Sequence, residues 1–272
     1  MPLDSATKTN LQFLKIGGSL ITDKHRPRTL RPQVLSRLAD EIARALGENP
    51  GMQLVVGNGA GSFGHVPAKK YGTRDGVRTA EQWRGFAEVW REAAALNAMV
   101  TEALHSAGLP AIAIHPSGSA IAQEGKLVAW DLEPVEAALQ AGLIPVVHGD
   151  VAFDRVRGGT ILSTEDLFGY LALHLKPARI LQAGLERGVW EDYPACTRLI
   201  PEITPKNLPE VMTSLRGSSA ADVTGGMASK VIQSLALIEA LPDLEVLIFS
   251  GETPGSVYQA LCGETIGTRL HR

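Results

Sequence analysis

Short apolar runs of β character alternate with stretches of helical periodicity along nearly all of the 272 residues. The runs predicted to be buried strands are Leu11–Ile16, Met52–Val56, Ala111–Ile114, Leu143–Val147, Ala178–Ala183 and Leu244–Phe249. The helices predicted between them cover residues 32–46, 79–107, 132–141, 163–174, 207–215 and 226–240. Strands that alternate with helices favour an α/β fold, in which a mostly parallel sheet is covered on both faces.

Two local patterns refine this prediction. Thr79 and Gln82 form a capping box that starts a long helix, and Gly108 marks its end. One stripe of this helix is predicted to face the core or a subunit interface: Trp83, Phe86, Trp90, Ala94, Asn97, Val100 and Leu104. The segment Val151–Ser163 resembles a β-hairpin that turns at Arg157, Gly158 and Gly159, and it is predicted to add an antiparallel element to the sheet.

Composition excludes several classes of protein. The net charge of −3 argues against a nucleic-acid binder with a broad basic face. No apolar run approaches the roughly 18 residues that a membrane span requires, and the first ten residues lack a signal-peptide core. Two cysteines, Cys196 and Cys262, suit a reducing compartment. We therefore expect a cytoplasmic protein without a membrane segment, and the absence of linkers predicts a single domain over residues 1–272.

The stretch Gly57–His65 follows a predicted strand and contains a G-x-G-x-x-G pattern. A dinucleotide site is not supported, because no second strand follows and Pro67 prevents a continuous helix from starting before it. A triphosphate loop is not supported either, since His65 replaces the required lysine. Consecutive small residues at a helix start nevertheless expose backbone N–H groups, which suits an anion.

Two further glycine-rich turns carry lysines. Lys15 ends the first predicted strand before Gly17, Gly18 and Ser19, and Lys24 follows. The segment Asp222–Lys230 has another glycine pair at a helix start. Such turns converge at the carboxyl edge of a parallel sheet. Lysines and amide donors around a shared anion are what phosphoryl transfer requires.

These motifs, in this order, resemble the amino acid kinase superfamily over essentially the whole chain. The matching residues are Lys15–Ser19, Gly59–His65, His148–Val151 and Asp222–Met227 with Lys230. Within the superfamily, "GAGSFGH" and "DVTGGM" are most similar to isopentenyl phosphate kinases. The resemblance implies an αβα sandwich, usually dimeric, that phosphorylates isopentenyl phosphate with ATP and Mg²⁺. It also implies an acceptor-binding N-terminal half and an ATP-binding C-terminal half.

The resemblance further implies roles for individual residues. The residues implied to surround the ATP phosphates are Lys15, Gly17, Gly18, Ser19, Gly61, Gly226 and Lys230. Those implied to hold the acceptor's phosphate are Ala60, Gly64, His65 and Gly149, with Lys24 facing the transferred group. Glu165 stands where the superfamily has an aspartate that orients the lysines, and Asp166 is the alternative. The segment near the base pocket is altered to Ala183–Val189.

Other residues were assigned more than one role. Phe86 is the first candidate among the stripe residues to close the pocket for the alkyl tail. His148 and Asp150 either contact the site or satisfy backbone groups at a strand end. The remaining histidines, His115 among them, show no ligand spacing, so no protein-bound metal is predicted and Mg²⁺ is expected to arrive with ATP.

Three alternatives to this function remain open at the level of sequence. A fosfomycin kinase carries a comparable glycine loop that ends in histidine. A carboxylate kinase such as acetylglutamate kinase fits less well, because histidine suits a phosphate or phosphonate better. The third is a non-catalytic binding or storage protein, which the presence of Lys15, Lys24 and Lys230 disfavours.

Overall fold

The structure is a computed structural model that describes residues 10–217 and 223–272, so Asp222 of the third glycine motif lies outside the described residues. Its strands are β1 (Leu11–Ile16), β2 (Gln53–Asn58), β3 (Ala111–Ala113), β4 (Ile121–Gln123), β5 (Lys126–Ala129), β6 (Ile144–His148), β7 (Asp150–Asp154), β8 (Gly158–Leu162), β9 (Arg179–Gly184), β10 (Val189–Trp190), β11 (Leu199–Ile200), β12 (Glu202–Ile203), β13 (Glu245–Ser250) and β14 (Thr268–Leu270). Its helices are α1 (Gly18–Ile21), α2 (Pro32–Glu48), α3 (Gly61–Tyr71), α4 (Ala80–Ser106), α5 (Glu133–Gln140), α6 (Thr164–Leu175), α7 (Leu208–Gly217), α8 (Val223–Ala240) and α9 (Ser256–Leu261).

The main sheet of the described residues has the order β12-β14-β13-β9-β1-β2-β6-β3. Its pairings are parallel except for β13 with β14. The predicted mostly parallel sheet is therefore confirmed. Because β1 lies in the middle, between β9 and β2, the residues that follow it emerge at the centre of the carboxyl edge.

Helices cover both faces of this sheet, which confirms the αβα sandwich. One face packs against α2, α4 and α9, and the other packs against α5, α6 and α8. Side chains alternate along β1, with Leu11 and Phe13 on the α6 face and Leu14 and Ile16 on the α2 face. The same alternation directs Lys15 toward the layer that contains α6.

The predicted hairpin forms, but not where the sequence placed it. Strands β7 and β8 are antiparallel, and they belong to a separate sheet with the order β5-β4-β7-β8. The turn comprises residues 155–157 instead of 157–159, because the Asp154 carboxylate accepts hydrogen bonds from the backbone N–H groups of Val156 and Arg157 and starts the turn immediately. The expectation that the hairpin extends the main sheet was wrong.

Helix α4 has the predicted capping box of Thr79 and Gln82, and Gly108 follows its end with φ 79°. Phe86, Asn97, Val100 and Leu104 are buried as predicted, but Trp90 is 44% exposed. The buried face passes through Val89 and Ala93 instead, roughly 60–100° around the helix from Trp90. Trp90 and Trp83, which is 36% exposed, are thus not buried in the core of the chain, and the predicted alternative of a subunit interface stays a prediction.

Helix α3 also departs from expectation, because it begins at Gly61, six residues before Pro67, and continues through it. Proline removes one intrahelical hydrogen bond here without ending the helix. The stretch from Gly59 to His65 is thus a loop of two residues followed by the first turns of a helix. Within the described residues, no helix has both the length and the apolar character needed to cross a membrane.

Candidate active site

The loops that follow β1 and β2 touch through their backbones. A Cβ atom at Gly18 would lie 2.3 Å from the amide nitrogen of Gly61. Gly61 itself has φ +50°, a conformation that side chains disfavour. Both positions therefore require glycine, and the two loops form one continuous backbone surface at the centre of the sheet edge.

Thr22 joins the same two loops through its hydroxyl group. This group donates to the carbonyl oxygen of Gly18 at 2.7 Å and accepts from the N–H of Ser62 at 3.0 Å. One of the N–H groups at the start of α3 is thus already satisfied within the protein. The residues predicted to meet an anion are the neighbours of Ser62: Ala60, Gly61 and Gly64.

Lys15 and Glu165 form the central ion pair of the site. The ammonium Nζ of Lys15 lies 2.6 Å from Oε1 of Glu165, and Lys15 is only 8% exposed. Asp166 faces elsewhere, because its carboxylate accepts from the backbone N–H and hydroxyl of Ser163 and completes the capping box of α6. Of the two acids left open by the sequence, Glu165 is the one in contact with a lysine.

Lys230, on α8, belongs to the same electrostatic group. Burial lowers the pKa of Lys230, the charges of Lys15 and Lys24 lower it further, and Glu165 opposes them. Burial alone would raise the pKa of Glu165, but the charges of Lys15 and Lys230 together with the Lys15 hydrogen bond hold this pKa below its usual value. Lys24 itself is exposed, in the loop after α1. The structure therefore brings Lys15 and Lys230 together at one carboxylate, and Lys24 is near enough for its charge to lower the pKa of Lys230.

The glycines predicted to surround ATP border this group. The N–H of Gly17 donates to the carbonyl oxygen of Ala183 in β9 at 2.8 Å, and Gly18 and Ser19 begin α1. Gly226 lies in the first turn of α8, on the helix that carries Lys230. A cavity of about 420 Å³ opens beside Lys15, Glu165 and Lys230 and continues between α6 and α8.

The residues predicted to hold the acceptor lie on two neighbouring strand ends. Ala60 caps α3, Gly64 and His65 occupy its first turns, and the His65 side chain is exposed. The N–H of Gly149, just after β6, donates to the carbonyl oxygen of Asn58 at the end of β2. The two segments leave the sheet side by side, on the β6 side of Lys15.

Comparison with known proteins identifies the family of the chain. Residues 10–250 match the profile described as the Amino acid kinase family. The chain belongs to the amino acid kinase family. It is 34% identical to an isopentenyl phosphate kinase from Methanocaldococcus jannaschii, over 96% of this chain and 98% of that protein. It is also 34% identical to one from Haloferax volcanii, over 91% and 98%. A solved isopentenyl phosphate kinase structure superposes with a TM-score of 0.81 at 30% identity, covering 96% of this chain and 99% of that one.

Phe86 of this amino acid kinase is 8% exposed and lies in a small apolar cluster between α4 and the β7–β8 hairpin. Its ring centroid is 5.2 Å from that of Trp83 and 5.3 Å from that of Phe153. The cluster is separate from the two large cores, so Phe86 can be altered without opening either of them. Its part in closing a pocket for the alkyl tail stays a prediction.

The segment Ala183–Val189, which the resemblance placed near the base pocket, runs from the carboxyl end of β9 to the start of β10. Glu186 accepts a hydrogen bond from the indole N–H of Trp190 at 2.9 Å, which holds this turn against β10. Glu186 also raises the pKa of Lys230 and opposes the burial that lowers it. The altered residues therefore contribute charge to the lysine group.

Sequence reasoning missed the anchor of the loop that carries Lys24 in this kinase. The Arg28 side chain donates to Glu92 of α4 at 2.8 Å, and its backbone N–H donates to the carbonyl oxygen of Ser62. Glu92 is buried and also pairs with Arg91. Because 64 residues separate Arg28 from Glu92, no local signal in the sequence could have identified this contact.

His148 and Asp150 flank Gly149 and are both fully buried. His148 Nδ1 lies 3.0 Å from the carbonyl oxygen of Gly149, and Asp150 accepts from the backbone N–H groups of Ser117 and Val151. These contacts match the prediction that both side chains satisfy backbone groups. They do not test a contact with substrate.

Proposed function

We propose that the chain transfers the γ-phosphoryl group of ATP to isopentenyl phosphate and forms isopentenyl diphosphate. The observation that carries this proposal is the contact of Lys15 with Glu165 beside Lys230, at the edge where two glycine loops meet. It is supported by relatives named isopentenyl phosphate kinase that match over nearly their whole length.

The proposed chemistry is mostly electrostatic. During phosphoryl transfer, negative charge spreads over the moving phosphoryl oxygens, and preorganised cations stabilise it. Lys15 and Lys230 would supply that charge from partly dehydrated positions, and Glu165 would hold the Lys15 ammonium in place. Lys24, on the exposed side, would meet the transferred group.

The two ligands would meet at the start of α3, where Gly61 is assigned to ATP and its neighbours Ala60 and Gly64 are assigned to the acceptor. Gly18, Ser19, Gly61 and Gly226 would offer N–H groups to the ATP phosphates, and Gly17, whose N–H is bonded to Ala183, would allow close backbone approach. The acceptor's phosphate would meet Ala60, Gly64, His65 and Gly149.

Magnesium would enter this site with ATP. When bound, it would neutralise part of the charge on the ATP phosphates. Glu165 is already paired with Lys15, so the described site would hold the metal through the bound nucleotide. The lysines and backbone amides of the described site fit the complex of ATP with magnesium better than the free ion.

The direct test is ATP turnover with isopentenyl phosphate, fosfomycin or N-acetylglutamate as acceptor. We expect kcat/KM to be highest for isopentenyl phosphate and the reaction to stop when magnesium is chelated. Preference for fosfomycin or N-acetylglutamate would replace the proposed acceptor and keep the kinase. ATP binding without turnover on any acceptor would favour the binding or storage protein of the same fold.

Three further properties belong to the same proposal: a homodimer, a cytoplasmic location and a single folding domain over residues 1–272. Light scattering of the purified protein tests the dimer, and cell fractionation tests the location. A single calorimetric unfolding transition, with equal calorimetric and van't Hoff enthalpies, tests the single domain.

A further inference from the structure

Three potential metal ligands meet beyond the ends of β3 and β6. Nδ1 of His115 lies 3.1 Å from Nε2 of His148, which lies 3.9 Å from Oδ2 of Asp150. The three ligand atoms all lie within 4.8 Å of one another. His115 is 33 residues from His148 in the chain, so spacing alone gave no indication of this cluster.

The tautomer of His148 follows from its neighbours. A carbonyl oxygen only accepts hydrogen bonds, so Nδ1 of His148 must carry the proton that it donates to Gly149. Burial lowers the pKa of His148 and favours its neutral form, although Asp150 opposes this effect. Nε2 then carries a lone pair that faces His115 Nδ1 at 3.1 Å and Asp150 Oδ2 at 3.9 Å. Histidines that bind metals typically donate their other N–H to a carbonyl or carboxylate in this way.

Asp150 provides the negative charge of the cluster. Its carboxylate is 1% exposed, and its one ion-pair neighbour among the described residues is His148. The two backbone N–H groups that it binds leave lone pairs on both oxygens. A buried carboxylate next to an imidazole lone pair is costly unless a cation or a proton lies between them. The exposed side chain of His115 gives solvent access to this point.

We propose that His115 Nδ1, His148 Nε2 and Asp150 Oδ2 bind one divalent transition-metal ion of the zinc type. Zinc–ligand bonds of about 2.0–2.2 Å in a tetrahedron place ligand atoms roughly 3.3–3.6 Å apart. Two of the observed separations, 3.1 and 3.9 Å, bracket that value, and all three ligand atoms lie within 4.8 Å of one another, so side-chain rotation on binding would draw them in to the tetrahedral distances. Two imidazoles and one carboxylate favour zinc, cobalt or nickel over magnesium, so this ion is distinct from one that enters with ATP.

The position of the cluster indicates what the ion would do. His115 precedes a short 3-10 helix at Pro116–Gly118, and His148 and Asp150 belong to β6 and β7. A shared ion would fasten these three segments together around Gly149. It would raise the stability of the fold, and this inference holds whichever acceptor the enzyme uses.

The test uses the full chain, stripped with a chelator and titrated calorimetrically with Zn²⁺. We expect one ion per chain, a rise in Tm on binding, and no displacement by excess Mg²⁺. His115→Ala should weaken zinc binding at least ~10-fold, by analogy with the 10–100-fold cost of losing a supporting partner of a metal ligand. Because His115 is exposed, this variant should fold, and its Tm without metal checks that it does.

His105→Ala is the matched control, since His105 is an exposed histidine in the last turn of α4. It should bind zinc as the unchanged chain does. Co²⁺ provides a second readout, with visible absorption of a tetrahedral nitrogen and oxygen site in the unchanged chain and its loss in His115→Ala. Equal zinc affinity in His115→Ala and the unchanged chain would overturn the proposal. Failure of the unchanged chain to bind zinc would overturn it too, and His115 would then simply donate a hydrogen bond to His148.

Discussion

The ammonium group of Lys15 lies 2.6 Å from the carboxylate of Glu165, across 150 residues of chain. This contact joins the end of the central strand β1 to the first turn of α6. Asp166, the adjacent acid, is committed to the cap of α6 through Ser163. Two neighbouring carboxylates therefore have separate tasks, one electrostatic and one structural.

Substitution of each acid should separate these tasks. We expect Glu165→Gln to lower kcat at least ~10-fold, which is ~1.4 kcal/mol on the barrier, because Lys15 loses its charged partner. Asp166→Asn should leave kcat within a few-fold and reduce stability by ~0.5–2 kcal/mol through the weakened cap. Steady-state kinetics and urea denaturation of both variants provide the measurement. The reverse pattern would assign the orienting role to Asp166.

Substitution of Lys15 or Lys230 should reduce kcat more than substitution of Glu165 does. Lys15→Ala and Lys230→Ala should each reduce kcat by at least ~10²-fold, because each removes a preorganised cation from the site. Lys230→Arg should not restore activity, since a planar guanidinium does not replace a compact ammonium. Lys206→Ala, at an exposed position before α7, serves as the control. Near-normal turnover in a folded Lys15 or Lys230 variant would remove that residue from the mechanism.

His65→Ala should distinguish the acceptor's phosphate from the nucleotide. We expect a large loss of kcat/KM for isopentenyl phosphate, because a donor to the phosphate worth roughly 1.5–3 kcal/mol is removed, while the KM for ATP changes little. His65→Gln or His65→Asn, which keep a neutral donor, should recover part of the loss. The measurement is the KM for isopentenyl phosphate and the KM for ATP in the folded His65→Ala variant. If ATP binding collapses instead, the first turns of α3 hold the nucleotide and the proposed division of the site is incorrect.

Phe86→Ala should alter chain-length preference. Removing this ring leaves space between α4 and the β7–β8 hairpin, so kcat/KM for a ten-carbon prenyl phosphate should rise relative to isopentenyl phosphate. Trp90→Ala is the control on the same helix, because Trp90 is half exposed and outside the cluster. The ratio of the two kcat/KM values is the quantity to compare. If Phe86→Ala leaves it unchanged, this ring has a packing role only.

Asp154 should make stability depend on acid. Burial alone would raise its pKa, but hydrogen bonds from four backbone N–H groups, those of Glu124, Gly125, Val156 and Arg157, hold this pKa below its ordinary value. The stabilisation is therefore present above the unfolded pKa of about 3.9 and disappears as pH falls through the folded pKa.

Asp154→Asn should lower the free energy of unfolding at pH 7 by roughly 1–3 kcal/mol, and the difference from the unchanged chain should shrink below about pH 4. Urea denaturation at several pH values provides the measurement. Asp243→Asn, at an exposed turn, is the control. A constant difference across the whole pH range would show that the charge of Asp154 is not what stabilises the turn.

Much of this architecture could be predicted from the sequence, because local patterns determine it. The predicted bounds of Leu11–Ile16 match β1, and the capping box of Thr79 is present. The assignment of the hairpin failed because the choice of sheet depends on long-range packing, which alternation along a strand does not encode. The sequence does not decide whether Trp90 faces the core or a subunit interface, because an apolar stripe on a helix looks the same in both cases.

In the candidate site, too, local features could be predicted from the sequence and long-range contacts could not. Glycine turns and their lysines are local signals, so the sequence identified them. The choice between Glu165 and Asp166 depends on which side chain reaches Lys15, which only the fold determines. The contacts of Arg28 with Glu92 and of His115 with His148 join segments that are distant in the chain, so no spacing of residues predicts them.

The contact of Gly18 with Gly61 has a final consequence. It is made by main-chain atoms, so the separation between the loops is fixed by peptide geometry and not by rotamers. Under the proposed division of the site, the loop after β1 meets ATP and the first turns of α3 meet the acceptor's phosphate, so this contact fixes the distance between the two binding segments. Mutations elsewhere in either half can therefore change which acceptor is bound. The distance over which the phosphoryl group is transferred would stay the same.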